Sequence, residues 1–267
     1  MTARELLSVG EMPPRELLIL LCHHLGVDQA EIYRDLDRPL PAPLLRRLRR
    51  DIEKRREGWP LQYLTGNAWF WSLPINVGKG VLVPRAETET LVEVASALAP
   101  AGGRLADIGT GSGAILAAVA VERPDLRLVG VERSRQALRF AERNLAGRAE
   151  VFGGDLCAPL REPQDVIVAN LPYVREDEYD GLPADVRREP RMALVSGKDG
   201  LRAVRRLVRQ APDHLVPGGW LLLEIGAGQS GDVTALLARR GFQEILRQLD
   251  LRGIERVVGG RWPCAPN

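Results

Sequence analysis

Apolar residues fall on two different periods along this chain, and the period changes near residue 66. Before it, Leu17, Leu18, Leu20, Leu21 and Leu25 recur at the three-to-four spacing of one helix face. Pro14 stands where a first helical turn tolerates proline, and Gly26 where a helix stops. A second helix is expected from about Pro43 to Glu57, with Leu45, Leu48 and Ile52 on its apolar face. Arg46, Arg47, Arg49, Arg50, Lys54, Arg55 and Arg56 fill the rest of it. That crowding fits a solvated face, and it also fits a docking surface for an acidic partner or RNA. Residues 1–64 thus read as a small helical domain. In the connector, residues 65–84, glycines flank the runs Trp69-Phe70-Trp71 and Leu73-Pro74-Ile75-Asn76-Val77, with Val81-Leu82-Val83 following. This is a hairpin pattern, its aromatic cluster expected to serve packing.

From Arg85 to the end, residues 85–267, strand-like and helix-like stretches alternate. Strands are expected at Leu105–Ile108, Leu126–Val131, Val151–Phe152, Val166–Ala169 and Trp220–Ile225. Helices are expected at about 113–122, 134–146, 199–211 and 229–240. Alternation of this kind predicts an α/β fold, doubly wound around a mostly parallel sheet. The runs Phe242–Leu246 and Ile254–Val258 have no helix between them, so they pair antiparallel at or beside the sheet edge and bring the strands to seven.

Composition narrows the function classes. Apolar residues at 45% and charged residues at 27% are ordinary for a globular chain. A net charge of +2 gives no strong pull toward nucleic acid or membrane, so direct nucleic-acid binding is not expected. No run of 18 apolar residues or signal-peptide layout is present, so no membrane association is expected. Cys22, Cys157 and Cys264 lie far apart without metal spacing, so no metal is expected and a reducing cytoplasm is the natural compartment.

Chemistry concentrates at two strand ends. Gly109-Thr110-Gly111-Ser112-Gly113 follows the strand Leu105–Ile108 and opens a helix. Glycines there let the backbone turn tightly and approach a ligand, and the amides at the helix start suit polar ligand groups. The spacing is not that of a dinucleotide loop, and no Lys-Ser/Thr ending marks a phosphate loop. Glu132 ends the next strand, where a carboxylate can accept two hydrogen bonds from a ribose diol. Asp155 follows the third strand at the same edge, within reach of an adenine amino group. The run Asp165–Ala169 then leads into Asn170-Leu171-Pro172-Tyr173. An amide, a proline-fixed backbone and an aromatic ring at one sheet edge can hold a planar amide or amino group flat. Beside a nucleotide-like cofactor, these groups suggest methyl transfer to a nitrogen with no basic lone pair.

The order of these motifs resembles the class I methyltransferases that use S-adenosyl-L-methionine. The whole chain is similar to a narrower family, the peptide chain release factor N(5)-glutamine methyltransferases. That similarity rests on Pro60-Leu61-Gln62-Tyr63-Leu64-Thr65-Gly66, Val81–Glu89, Glu189-Pro190-Arg191-Met192-Ala193-Leu194 and Pro217–Gly226. The resemblance implies a seven-stranded methyltransferase sheet behind an N-terminal substrate-docking domain. It also implies conversion of S-adenosyl-L-methionine to S-adenosyl-L-homocysteine and release factors as the protein partner; a monomer is expected. The methyl acceptor would be the glutamine side-chain nitrogen of a Gly-Gly-Gln motif. The resemblance gives the Asn170 side-chain oxygen and the Leu171 main-chain carbonyl the two amide hydrogens and packs Tyr173 against the planar amide, with Pro172 fixing the backbone between them. It gives the cofactor to Gly109, Thr110, Gly111, Ser112, Gly113, Glu132, Asp155, Leu156 and Asn170.

The chain departs from the family pattern in three places. Leu171 and Ala86 replace prolines, each costing ~0.4–1 kcal/mol of loop preorganisation. Leu156 stands where some members place a tryptophan, keeping an apolar wall without stacking. His23, His24 and His214 lie outside every motif and read as structural or surface residues. An alternative is an adenine-N6 methyltransferase acting on RNA or DNA, since adenine's amino group poses the same planar problem. A non-catalytic cofactor-binding protein is a third reading, opposed by the intact glycine turn, Glu132 and Asn170.

Overall fold

The computed structural model describes residues 1–264, which fall into two compact units, Met1–Asn67 with Pro183–Arg188, and Ala68–Leu182 with the residues from Glu189 onward. Among the described residues no helix is long and apolar enough to cross a membrane.

The first unit holds α1 (Ala3–Ser8), α2 (Pro14–Leu25), α3 (Gln29–Arg34), α4 (Ala42–Arg56) and α5 (Leu61–Thr65). Thr2 with Glu5, and Asp28 with Glu31, form reciprocal caps that start α1 and α3. Gly26 ends α2 with φ 68°, in the left-handed region. Leu17, Leu20, Leu21, Leu48 and Ile52 are buried at the centre. On α4 the fully buried position is Leu44, and Leu45 is only half-buried, because Leu44, Leu48 and Ile52 recur every four residues and share one side. Asp51 lies on that face too, and it is buried because His24 Nε2 meets its carboxylate at 2.7 Å. Arg55 likewise leaves the solvated set. Its guanidinium donates to both Glu16 oxygens at 2.7 and 2.9 Å and is only partly exposed. Arg46, Arg47, Arg49 and Arg50 remain exposed.

The second unit begins with a hairpin of β1 (Asn67–Phe70) and β2 (Leu73–Asn76). Trp71 and Ser72 turn it with φ 53° and 57°, the positive values that a two-residue hairpin turn requires. Trp71 donates its backbone N–H to Glu89 and its indole N–H to Glu122, 2.7 Å each, which offsets that strain. The aromatic cluster splits: Phe70 is buried, whereas Trp69 is 75% exposed, since neighbours on a strand point to opposite faces. After the hairpin come α6 (Glu89–Leu98), β3 (Arg104–Ile108), α7 (Ala114–Glu122), β4 (Arg127–Glu132), α8 (Arg135–Asn144), β5 (Glu150–Gly153) and β6 (Gln164–Ala169). Two single-turn helices follow, α9 (Ala184–Arg187, in the first unit) and α10 (Arg191–Leu194). Then come α11 (Arg202–Gln210), β7 (Leu215–Glu224), α12 (Ser230–Arg240), β8 (Gln243–Leu249) and β9 (Glu255–Arg261).

The main sheet runs β5-β4-β3-β6-β7-β9-β8. Pairs from β5 to β7 are parallel, and β9 pairs antiparallel with both β7 and β8. The expected final hairpin is therefore present, with β9 inserted beside β7 and β8 at the edge. Between β3 and β6 the strand order reverses. A crevice opens at the carboxyl ends of strands at such a reversal, and that is where ligands bind in open α/β sheets. Register makes the crevice specific. Asp107 lies opposite Val168, and Ala169 opposite Leu223. The chain leaves the sheet at Gly109, Asn170 and Ile225, side by side. Under this edge Leu105, Ile108, Leu116, Ile167 and Leu223 are fully buried.

Candidate active site

At that edge lies a cleft of about 250 Å³. One wall is the glycine turn. Gly109 and Gly111 hold φ of 78° and 58°, values that a side chain would strain. The Gly109 and Thr110 amides donate to the Val131 carbonyl at 2.8 and 3.0 Å, which ties the turn to β4. Glu132 fixes the turn from the other side. One carboxylate oxygen accepts from Gly111 N–H at 2.9 Å and the other from Ser134 N–H at 2.7 Å. Each oxygen keeps a second lone pair, so Glu132 both shapes the turn and retains acceptor capacity toward the cleft.

Below the turn Asp107 is fully buried. Burial pushes its carboxyl up to about 7, partly offset by the Thr110 hydroxyl donating at 2.7 Å and reinforced by the nearby Glu132. Gly113 does not line the cleft. It begins α7 with φ 79°, and a Cβ there would lie 2.8 Å from Leu145, so packing demands this glycine.

Asp155 and Leu156 form the far end. Asp155 lines the cleft and is ion-paired to Arg206 on α11. Leu156 is buried and held at φ 52°, an uncommon value for leucine that turns its side chain into the cleft as an apolar wall.

The third side is Asn170-Leu171-Pro172. The Asn170 amide nitrogen donates to the Thr88 hydroxyl at 3.2 Å. Leu171 is buried, and its side chain fills the space that Gly109 leaves free. Tyr173 stands behind the cleft rather than on its lining. Its hydroxyl is pushed up to about 12, chiefly by burial and next by the Glu224 carboxylate. Its carbonyl accepts from Gln229 Nε2 at 3.0 Å. A Cβ on Gly200 would come within 2.1 Å of the same carbonyl, so the loop is clamped from that side as well.

Over the cleft runs the segment Gly80–Pro84. The buried Glu189 carboxylate accepts from Val83 N–H at 2.8 Å and pairs closely with Arg85. Two stretches that are a hundred residues apart in sequence thus form one strap, and Thr88 follows directly behind it. Among the described residues no group of His, Cys, Asp or Glu side chains has the arrangement to hold a metal ion.

Residues 1–66 match the PrmC N-terminal domain family, and residues 86–184 the methyltransferase small domain family. A release factor glutamine methyltransferase of Geobacter sulfurreducens is 41% identical over 91% of this chain and 87% of its own length. Another, of Neisseria gonorrhoeae, is 36% identical over 98% of both. The chain belongs to the release factor glutamine methyltransferase family. Its sheet is that of a class I methyltransferase. A solved methyltransferase from Pyrococcus furiosus, 19% identical, superposes with a TM-score of 0.54 over 72% of this chain and 89% of its own, a likeness of fold alone.

The contacts around the cleft also involve residues that the sequence alone does not mark as site residues. Thr88, Arg85, Glu189 and Glu224 lie inside stretches on which the resemblance was drawn. Their signal was present, but their roles depend on contacts between distant segments. Arg206 gave no signal at all, since it reads as one more arginine on a helix face.

Proposed function

We propose that this chain transfers a methyl group from S-adenosyl-L-methionine to the side-chain amide nitrogen of the glutamine in the Gly-Gly-Gln motif of peptide chain release factors. The observation that carries this reading is the placement of the Asn170 amide. Its nitrogen donates to the Thr88 hydroxyl at 3.2 Å, and Asn170 shares the cleft lining with the glycine turn, which supports a reading in which its oxygen faces the acceptor.

The residues present fit the cofactor. Gly111 has no neighbour closer than 3.9 Å to the position a Cβ would take, so the turn leaves room for a ligand. Glu132 retains acceptor capacity for a ribose diol, and Asp155 and Leu156 supply an acceptor and an apolar wall for an adenine. Gly109, Thr110 and Ser112 would surround the rest. When bound, S-adenosyl-L-methionine supplies a sulfonium methyl group.

A carboxamide nitrogen is a poor nucleophile because its lone pair is delocalised into the carbonyl. The Asn170 oxygen and the Leu171 carbonyl accept its two hydrogens and orient the lone pair along the line of transfer. Pro172 limits the loop's freedom, and Tyr173 stiffens it from behind. Charge disperses during the reaction, so positioning supplies most of the rate. The proton leaves after transfer, and no histidine is required.

In this reading the first unit docks the body of the release factor through the exposed arginines of α4, and the enzyme works as a cytoplasmic monomer. The adenine-N6 alternative is not favoured, because the relatives that match nearly the full chain are named for glutamine. The test is transfer of labelled methyl to a release factor, to its Gln→Ala variant and to ribosomal RNA. Label in the intact release factor alone is expected, and label in the RNA alone would overturn the reading.

A further inference from the structure

Glu224 ends β7 with 1% of its surface exposed, and its carboxylate makes no hydrogen bond of full length and angle; Thr88 and Asn170 are the donors that face it. A buried carboxylate left so is costly and calls for a reason. Its position gives one. Ala169 and Leu223 are direct partners on the parallel strands β6 and β7, so the next residues, Asn170 and Glu224, emerge side by side on one face. Thr88 completes the group, its hydroxyl accepting from the Asn170 nitrogen.

An asparagine amide has two ends of nearly equal size, and sterics alone do not decide which end faces the cleft. An ionised carboxylate accepts hydrogen bonds and donates none. With one beneath them, the Thr88 hydroxyl proton and the second Asn170 N–H are both drawn inward. The Asn170 oxygen then has no donor inside and faces outward.

We propose that Glu224 is a positioning residue for methyl transfer, fixing, together with Thr88, the orientation in which Asn170 presents its oxygen to the acceptor amide. The inference rests on the reading of Asn170 given above. Glu224 itself does not reach the cleft. Burial pushes its carboxyl up to about 7. Thr88, Arg256 and Asn170 counter part of that rise, and Glu87 adds to it. Arg256 on β9, Glu87 ahead of α6 and Tyr173 are the other titratable groups that face it. Protonated, Glu224 becomes a donor and no longer enforces one orientation of Asn170.

The test combines kinetics with a spectroscopic signature. Glu224→Gln keeps the shape and places a permanent donor beneath Asn170. Single-turnover transfer to a release factor should fall by at least ten-fold, while S-adenosyl-L-methionine affinity stays within two-fold. Wild-type transfer should rise with pH through about 7, and this limb should vanish in Glu224→Gln. Thr88→Val should cost little more in the Glu224→Gln background than the first change alone, because both act through one amide. A direct measurement needs no variant. In wild-type protein labelled with ¹⁵N-asparagine, the Asn170 side-chain N–H pair should shift with a midpoint near 7. A flat titration, or a Glu224→Gln enzyme of wild-type rate and pH profile, overturns the inference. Asn170→Ala separates this failure from that of the parent reading: transfer that survives it removes Asn170 from the chemistry and the role of Glu224 with it. Transfer lost in Asn170→Ala but intact in Glu224→Gln removes Glu224 alone.

Discussion

Replacing Glu132 by glutamine changes no more than one oxygen into an NH2 group, yet the structure expects a large effect on cofactor binding. Both carboxylate oxygens are already engaged, one with Gly111 N–H at 2.9 Å and the other with Ser134 N–H at 2.7 Å. A glutamine can satisfy only one of these amides, whichever way it lies. Its nitrogen then faces a second donor. If it faces Gly111, the glycine turn must tilt. If it faces Ser134, the start of α8 loses its acceptor and its favourable negative charge. The ribose loses an acceptor in either case. A hydrogen bond to a charged group contributes ~1.5–3 kcal/mol, so affinity should fall roughly 10- to 150-fold. Calorimetric titration with S-adenosyl-L-methionine and S-adenosyl-L-homocysteine measures it directly. The loss should be similar for both ligands, because they share the ribose. Saturating cofactor should restore most of the single-turnover rate. Thermal melting of the ligand-free protein should also drop by a few degrees, since the two amide bonds exist without ligand. An affinity within two-fold of wild type would place the ribose away from Glu132, and an unchanged melting temperature would show that the two amide contacts contribute nothing.

Further outcomes follow from the same geometry. Asn170→Ala should cut single-turnover transfer ~100- to 1000-fold with cofactor affinity within a few-fold, the usual cost of a lost preorganised contact; a rate within ten-fold of wild type would count against its role. Gly200→Ala should lower transfer more than cofactor affinity, because its Cβ would lie 2.1 Å from the Tyr173 carbonyl and displace the Asn170 loop; normal kinetics would show the loop is not clamped there. Arg46→Glu, Arg49→Glu and Arg50→Glu together should weaken transfer to whole release factor, with a matching loss of salt dependence, and leave a short Gly-Gly-Gln peptide unaffected. Asp107 is raised from 3.8 to about 7 by burial. Its folded pKa exceeds its unfolded one, so it costs no stability below about pH 4 and an increasing amount toward pH 7. Asp107→Asn should therefore gain stability relative to wild type between pH 5 and pH 8, by up to a few kcal/mol in urea melts.

The sheet was legible because its strands are short apolar runs bounded by glycine and polar turns, and Leu105–Ile108 and Val166–Ala169 are buried throughout. Helix α6 was not read as a helix. Its sequence Glu89–Leu98 carries threonine and two valines, which do not favour a helix on their own, and only burial of Leu91, Val92 and Ala95 in the tertiary fold decides its form. Leu44 and Leu45 differ in burial for a related reason, since two adjacent leucines satisfy the same period until a neighbouring helix selects one. The site divides in the same way. The glycine turn, Glu132 and Asn170 could be found because each carries its chemistry at one strand end. Parts of the site built from pairs could not. Glu189 matters through Val83 and Arg85, Glu224 through its neighbour Asn170, and Arg206 through Asp155. A lone sequence shows that an acid or a base is present, and it is silent on which distant backbone amide or side chain that group holds. The acids of this site spend their charge on holding other groups in place, as expected of an enzyme whose reaction needs an amide aligned more than it needs a proton moved.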